Sequence, residues 1–189
     1  MRVRLPTGIP CYVSGAGLFA ADATRSFKTL VITWLEESGL GYDTRYRYYR
    51  GQFAALETAD LARLVCDPIE HYDKDWPAYR LAAGVPEQEA LARFVVERDA
   101  RFRNEARVAI YCFDEAGIGS GINAMRFIHA GRPIFGFYAA AETNRRVNLT
   151  NVLQLVVEFP DQVRLAAYRG PEEITARLAE WLSELRAER

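Results

Sequence analysis

Lysine, histidine and paired cysteine are what this sequence is short of. Lys28 and Lys74 are its only lysines, and the other basic residues are arginines. The 24 basic and 25 acidic residues leave a formal net charge of −1. That balance gives no general case for nucleic acid or an anionic membrane as a partner. With His71 and His129 as the only histidines, histidine-based catalytic triads are nearly excluded. His71, in Glu70-His71-Tyr72-Asp73, reads as a loop side chain rather than a catalytic base. Cys11, Cys66 and Cys112 lie far apart, which excludes a disulfide framework and a zinc pattern. Cys11 and Cys112 sit inside apolar runs, where cysteine acts as a small hydrophobe. No apolar run is long enough to span a bilayer, and the amino terminus lacks the apolar segment of a signal peptide. These absences lead us to expect a reduced, cytoplasmic protein with no metal and no cofactor.

What is present is an ordinary globular composition: 189 residues, 50% apolar and 26% charged. That suits one domain, residues 1–189, with a single sizeable core. The organising stretch runs from Val108 to Tyr138. Val108–Phe113 is a continuous apolar run, as in a strand covered on both faces. Asp114 and Glu115 follow, then Gly117, Gly119 and Gly121 open a short helix, and Gly131-Arg132-Pro133 leads into a second apolar strand. The carboxyl end of such a strand is where ligands bind in open α/β sheets, because backbone amides and helix amino termini converge there.

Taken in order, Ile9–Ser14 reads as a strand reaching Gly15-Ala16-Gly17. A helix from about Ala20 to Ser38 carries Phe27, Leu30, Val31, Trp34 and Leu35 at helical spacing, and Gly39 and Gly41 stop it. Leu40–Tyr49 reads as a second strand, rich in tyrosine and arginine. Its side chains suit either an amphipathic sheet edge or base stacking with phosphate pairing. Residues 51–84 are the least regular part, broken by Asp67-Pro68, Trp76-Pro77 and Val85-Pro86, with Leu56–Val65 a helical candidate. An insertion of this length suggests a lid or a partner-facing loop. Pro86–Arg107 is a helix with an Ala90, Leu91, Phe94, Val95 stripe. Asp99 lies at the edge of that stripe, either pairing with Arg103 or pointing into a cleft. After a polar loop, a helix to about Phe159, a strand Val163–Tyr168 and an amphipathic helix Pro171–Leu185 complete the chain. The alternation implies about five parallel strands with helices on both faces.

Familiar motifs are excluded around Gly119-Ser120-Gly121. The residues two before and two after Ser120 are Ile118 and Ile122, so this is not a nucleophile elbow. No lysine follows, so it is not a Walker loop. The dinucleotide fingerprint is missing as well. What remains is a glycine loop whose amides suit an anion or a sugar hydroxyl, with Asp114, Glu115, Ser120 and Asn123 beside it.

Four segments together resemble the nucleoside 2-deoxyribosyltransferase superfamily, including its 2′-deoxynucleoside 5′-phosphate N-hydrolases. They are Tyr12-Val13-Ser14-Gly15-Ala16-Gly17-Leu18-Phe19, Arg98-Asp99, Gly119-Ser120-Gly121-Ile122-Asn123 running on to Ala130-Gly131-Arg132-Pro133-Ile134, and Arg145-Arg146-Val147-Asn148-Leu149. The resemblance spans most of the chain and implies a flavodoxin-like sheet of order 2-1-3-4-5 in a homodimer. It implies a nucleoside or nucleotide ligand touched by Tyr12, Ser14, Gly15, Gly119, Ser120, Gly121 and Asn148, with Asp99 engaging the sugar hydroxyls.

The family's nucleophile is a glutamate that attacks the anomeric carbon. Asn123 stands at that position, and Gly117 stands where members carry a polar side chain. The leading expectation is an enzyme that hydrolyses the N-glycosidic bond or transfers the (deoxy)ribosyl group, with Asn123 at the nucleophile site and Glu115 or Asp114 as a substitute carboxylate. Beside it stand a nucleotide-binding or sensing protein that has lost the nucleophile, and a ligand-free interaction domain.

Overall fold

Every residue of Val108–Cys112 (β3) is buried, as a strand flanked by strands and covered by helices requires. The computed structural model describes residues 8–15, 22–65, 75–114, 116–140 and 149–188. In it, β3 pairs in parallel with Ile9–Ser14 (β1) on one side and Ile134–Ala139 (β4) on the other. Gly41–Asp43 (β2) adds to β1, and Val163–Tyr168 (β5) adds to β4. The order β2-β1-β3-β4-β5 is the doubly wound α/β arrangement expected.

Eight helices occur among the described residues: Asp22–Ser38 (α1), Thr44–Arg50 (α2), Thr58–Leu64 (α3), Trp76–Ala82 (α4), Glu87–Glu105 (α5), Ile118–His129 (α6), Leu149–Glu158 (α7) and Pro171–Ala187 (α8). Right-handed crossovers put α1 on one face and α5, α6 and α7 on the other; α8 packs with α1. Of the stripe read for α1, Phe27, Val31 and Leu35 are buried, while Leu30 and Trp34 pack against the core from its margin. Gly39 ends the helix with φ +66°, a conformation that glycine adopts without a Cβ penalty.

The two core layers are both aromatic. On the α1/α8 face, the Trp181 ring centre lies 4.9 Å from Phe135 and 5.4 Å from Phe137, and Phe27 lies 5.8 Å from Phe137. On the other face Tyr111 stacks on Phe113 at 5.4 Å, and Tyr12 meets Phe127 of α6 at 5.8 Å. Each large apolar side chain buried in this way contributes about 1.5–3 kcal/mol. The second layer is tight enough to require a glycine in β4. A Cβ on Gly136 would stand 2.3 Å from Leu165 Cδ2 and 2.4 Å from Phe113 Cε2.

The second strand is where sequence and structure part. It spans three residues rather than Leu40–Tyr49, and Thr44–Arg50 is helical. The cause is Asp43, whose Oδ1 accepts the Arg45 and Tyr46 amides at 2.9 and 3.0 Å and so caps α2. Within 51–84, the described residues form turns over 51–57 and the helices α3 and α4, and are joined to the core. α3 packs on α1, and Leu61, Ala62, Val65 and Trp76 are buried. His71 and Cys66 lie outside the described residues. No helix among the described residues is long and apolar enough to cross a membrane, and no group of three or more His, Cys, Asp or Glu among them could hold a metal ion.

Candidate functional site

Strand order reverses between β1 and β3, because the chain leaves β1 towards β2 and returns past it to β3. At such a switch point the loops at the carboxyl ends diverge and leave a crevice. A cleft of about 290 Å³ lies there. Tyr12, Ser14 and Gly15 reach it from β1, and Gly117, Gly119, Ser120 and Asn123 from the start of α6. Asp99 of α5, Lys28 of α1 and Arg45 of α2 complete the lining.

The start of α6 is held to β1 by two long hydrogen bonds. Ser120 Oγ donates to the Gly15 carbonyl at 3.4 Å, and Asn123 Nδ2 donates to Tyr12 Oη at 3.5 Å. No side chain caps the helix at Gly117. The Ser120 and Gly121 amides turn back to the Gly117 carbonyl at 3.0 and 3.3 Å. The amides of Ile118 and Gly119 are therefore the ones left to meet a ligand, at the positive end of the helix dipole. A Cβ on Gly117 or Gly119 would meet nothing within 4 Å, so neither packing nor a left-handed φ calls for glycine at these positions.

Arg45 is aimed by a buried carboxylate. Asp43, 0% exposed, accepts the Val13 amide at 2.9 Å and pairs with Arg45 Nη2 at 3.2 Å. Arg45 Nη2 also donates to the Val13 carbonyl, and its guanidinium lies 4.8 Å from the centre of the Tyr12 ring. Burial first, then the Asp99 charge, pushes the Tyr12 phenol up to about 12, against the opposing pull of Arg45 and Arg103. Tyr12 is therefore a neutral hydroxyl at ordinary pH.

Asn123 faces Arg103, whose Nη1 donates to its Oδ1 at 2.8 Å. A guanidinium can only donate, so the amide oxygen must face Arg103 and the NH₂ must face Tyr12. Asn123 thus presents a donor to the cleft. Asp99 does not pair with Arg103. Its carboxylate makes a 3.4 Å ion pair with Arg98, whose Nε donates to Tyr49 Oη at 2.8 Å, and it remains 20% exposed at the cleft. Of the two roles left open for Asp99 in the sequence, the cleft is the one realised.

Seven of the sequence-derived site residues therefore converge: Tyr12, Ser14, Gly15, Asp99, Gly119, Ser120 and Asn123. Gly121 does not, because it lies one residue further round α6 and is exposed away from the cleft lining. Asp114 does not line the cleft either. It is 1% exposed, accepts the Ala139 amide at 2.9 Å and the Tyr168 hydroxyl, and so ties β3 to β4 and β5. A carboxylate with both oxygens engaged in this way is not placed to act as a base in the cleft. Glu115 and Asn148 lie outside the described residues.

Lys28 and Arg103 join the site without having been candidates for it, while Arg45, one of the arginines read for phosphate pairing in Leu40–Tyr49, enters it from α2. Lys28, 6% exposed, is one of two lysines in a chain that otherwise uses arginine, and it sits in the apolar stripe of α1. That oddity was the available signal. For Arg103 the sequence offers only a local partner, Asp99 at i,i+4, and its contact with Asn123 comes from the fold.

The arrangement can hold a small polar anion between cations and helix amides, with one carboxylate for hydroxyl groups. No family model matches the chain, and no curated protein matches it either.

Proposed function

We propose that the cleft at the β1/β3 switch point binds a nucleotide-like ligand without cleaving it. The phosphate would meet the Ile118 and Gly119 amides with Lys28 and Arg45, and Asp99 would accept from sugar hydroxyls. The observation that carries this reading is the 2.8 Å hydrogen bond from Arg103 to Asn123. It turns the Asn123 oxygen to Arg103 and its NH₂ to Tyr12, so a neutral amide donor would stand beside the ligand at the position where the resemblance expects a nucleophilic carboxylate. Asp114, the other described candidate carboxylate, is engaged by β4 and β5.

N-glycosidic hydrolysis is the second reading, and Asp99 favours it as the one carboxylate among the described cleft residues. Incubation with a panel of nucleosides and nucleoside monophosphates, read by thermal shift and by chromatography of free base, separates the two. Stabilisation by a nucleotide with no base released supports the binding protein. Release that disappears in Asp99→Asn or Glu115→Gln establishes the enzyme and sinks the binding-only reading. Neither stabilisation nor release would remove both.

A further inference from the structure

Between the end of α5 and α6 lies a second, smaller cavity of about 140 Å³, lined by Arg103, Asn104, Arg126, Phe127, Ala130 and Arg132. Three arginines and no carboxylate line it. Each has a local reason to be near the end of a helix. Arg132 Nη1 donates to the carbonyls of Arg103, Asn104 and Ala106 at 2.6, 3.3 and 2.8 Å and so closes the carboxyl end of α5. Arg126 is in the last turn of α6 and Arg103 in the last turn of α5, where cations suit the helix dipole.

That account leaves Arg103 unexplained. It is 7% exposed, and its hydrogen-bond partner is the neutral Asn123 amide. Among the described residues no carboxylate pairs with it, nor with Arg126 or Arg132. A buried cation without a counter-charge is costly, and half-buried Arg132 and exposed Arg126 bring two more positive charges to the same cavity.

We infer that the cavity is a binding site for a small tetrahedral oxyanion of the phosphate or sulfate class, distinct from the nucleotide cleft. Its volume admits such an ion and is too small for a nucleotide. The occupant would sit among Arg103, Arg126 and Arg132, using guanidinium donors that Asn123 and the α5 carbonyls leave over. Because Arg103 lines this cavity and donates to Asn123, which lines the larger cleft, filling this one bears on the hydrogen bond that orients Asn123. The inference does not depend on what the larger cleft holds.

The test uses the full chain titrated with inorganic phosphate and with sulfate at constant ionic strength, read by calorimetry and by the Asn123 side-chain amide resonance. Arg126 is exposed and holds no described element in place, so Arg126→Ala and Arg126→Glu should fold. The wild type should bind the anion and the Asn123 resonance should move. Arg126→Ala should bind about tenfold more weakly, for the loss of one charge-assisted interaction, and Arg126→Glu should not bind. Because the larger cleft would also take phosphate, the titrations are repeated in a Lys28→Gln background, where binding and its dependence on Arg126 should persist. No binding by the wild type, equal affinity in Arg126→Ala, or a loss of binding in the Lys28→Gln background would overturn the site, the last by showing that the anion takes the nucleotide cleft.

Discussion

Asp43 and Asp99 are carboxylates at the same edge of the sheet, within electrostatic reach of one tyrosine, and the chain uses them in opposite ways. Asp43 is fully buried and saturated: three backbone amides and a guanidinium converge on it. Asp99 is partly exposed at the cleft, with a single 3.4 Å ion pair. Asp114 belongs with Asp43, engaged by a backbone amide and by the Tyr168 hydroxyl. A carboxylate whose oxygens are all occupied holds elements together, and one with lone pairs facing a cleft can meet a ligand.

The comparison breaks most sharply at Asp43. Asp43→Ala removes the cap of α2, leaves the Val13 amide without its carboxylate and takes from the buried Arg45 the counter-charge it pairs with. Loss of one partner of a buried pair costs about 3–5 kcal/mol, and urea denaturation should show a destabilisation of that order. Asp99→Asn gives up one 3.4 Å ion pair at a half-buried side chain and should cost less than about 1 kcal/mol, while losing affinity for any hydroxyl-bearing ligand. Equal stability losses in the two variants would erase the distinction.

A smaller contrast lies between glycines. Gly136→Ala drives a methyl into Phe113 and Leu165, and overpacking of that kind costs about 1–3 kcal/mol. Gly119→Ala adds a methyl to open space in the first turn of α6. It should be neutral or stabilise by less than about 1 kcal/mol, because alanine favours the helix. A ligand that uses the room above Gly119 should bind the alanine variant more weakly. Matching melting curves for Gly136→Ala and wild type would show that the β4 layer is looser than the contacts indicate.

How much of this was legible beforehand divides along the same line. The strand order, the helix stripes and the Tyr12, Ser14, Asp99 and Asn123 constellation follow from apolar periodicity and from a resemblance carried by spaced motifs. What was not legible depends on side chains meeting across elements. Asp43 looked like part of a strand, because nothing local says that its carboxylate will bend back to two following amides and also reach Val13. Asp114 looked like a cleft acid because it follows β3, and only its contacts with Ala139 and Tyr168 assign it to the fold. Arg103 could have paired with Asp99 at i,i+4. The tertiary partner Asn123 prevailed over the local one.

Tyr12 reports on both carboxylates at once and gives the smallest effect at neutral pH. Its hydroxyl makes only a 3.5 Å hydrogen bond, so Tyr12→Phe should change stability at pH 7 by less than about 1 kcal/mol. Alkali exposes the difference. Burial, Asp99 and Asp43 raise its pKa from 10.0 to about 12, and burial raises Cys112 from 9.0 to about 12. A group whose folded pKa lies above its unfolded value leaves stability intact below the unfolded pKa. Stability then falls as pH climbs towards the folded value, because the unfolded chain gives up the proton first. Stability should therefore hold to about pH 9 and decline towards pH 12. Tyr12→Phe should decline less steeply above pH 10. Asp99→Asn should lower the Tyr12 pKa and also flatten the curve, because Asp99 is the larger of the two charge effects that raise it. A tyrosine resonance titration that is unmoved by Asp99→Asn would show that the Asp99 carboxylate does not share the cleft with Tyr12.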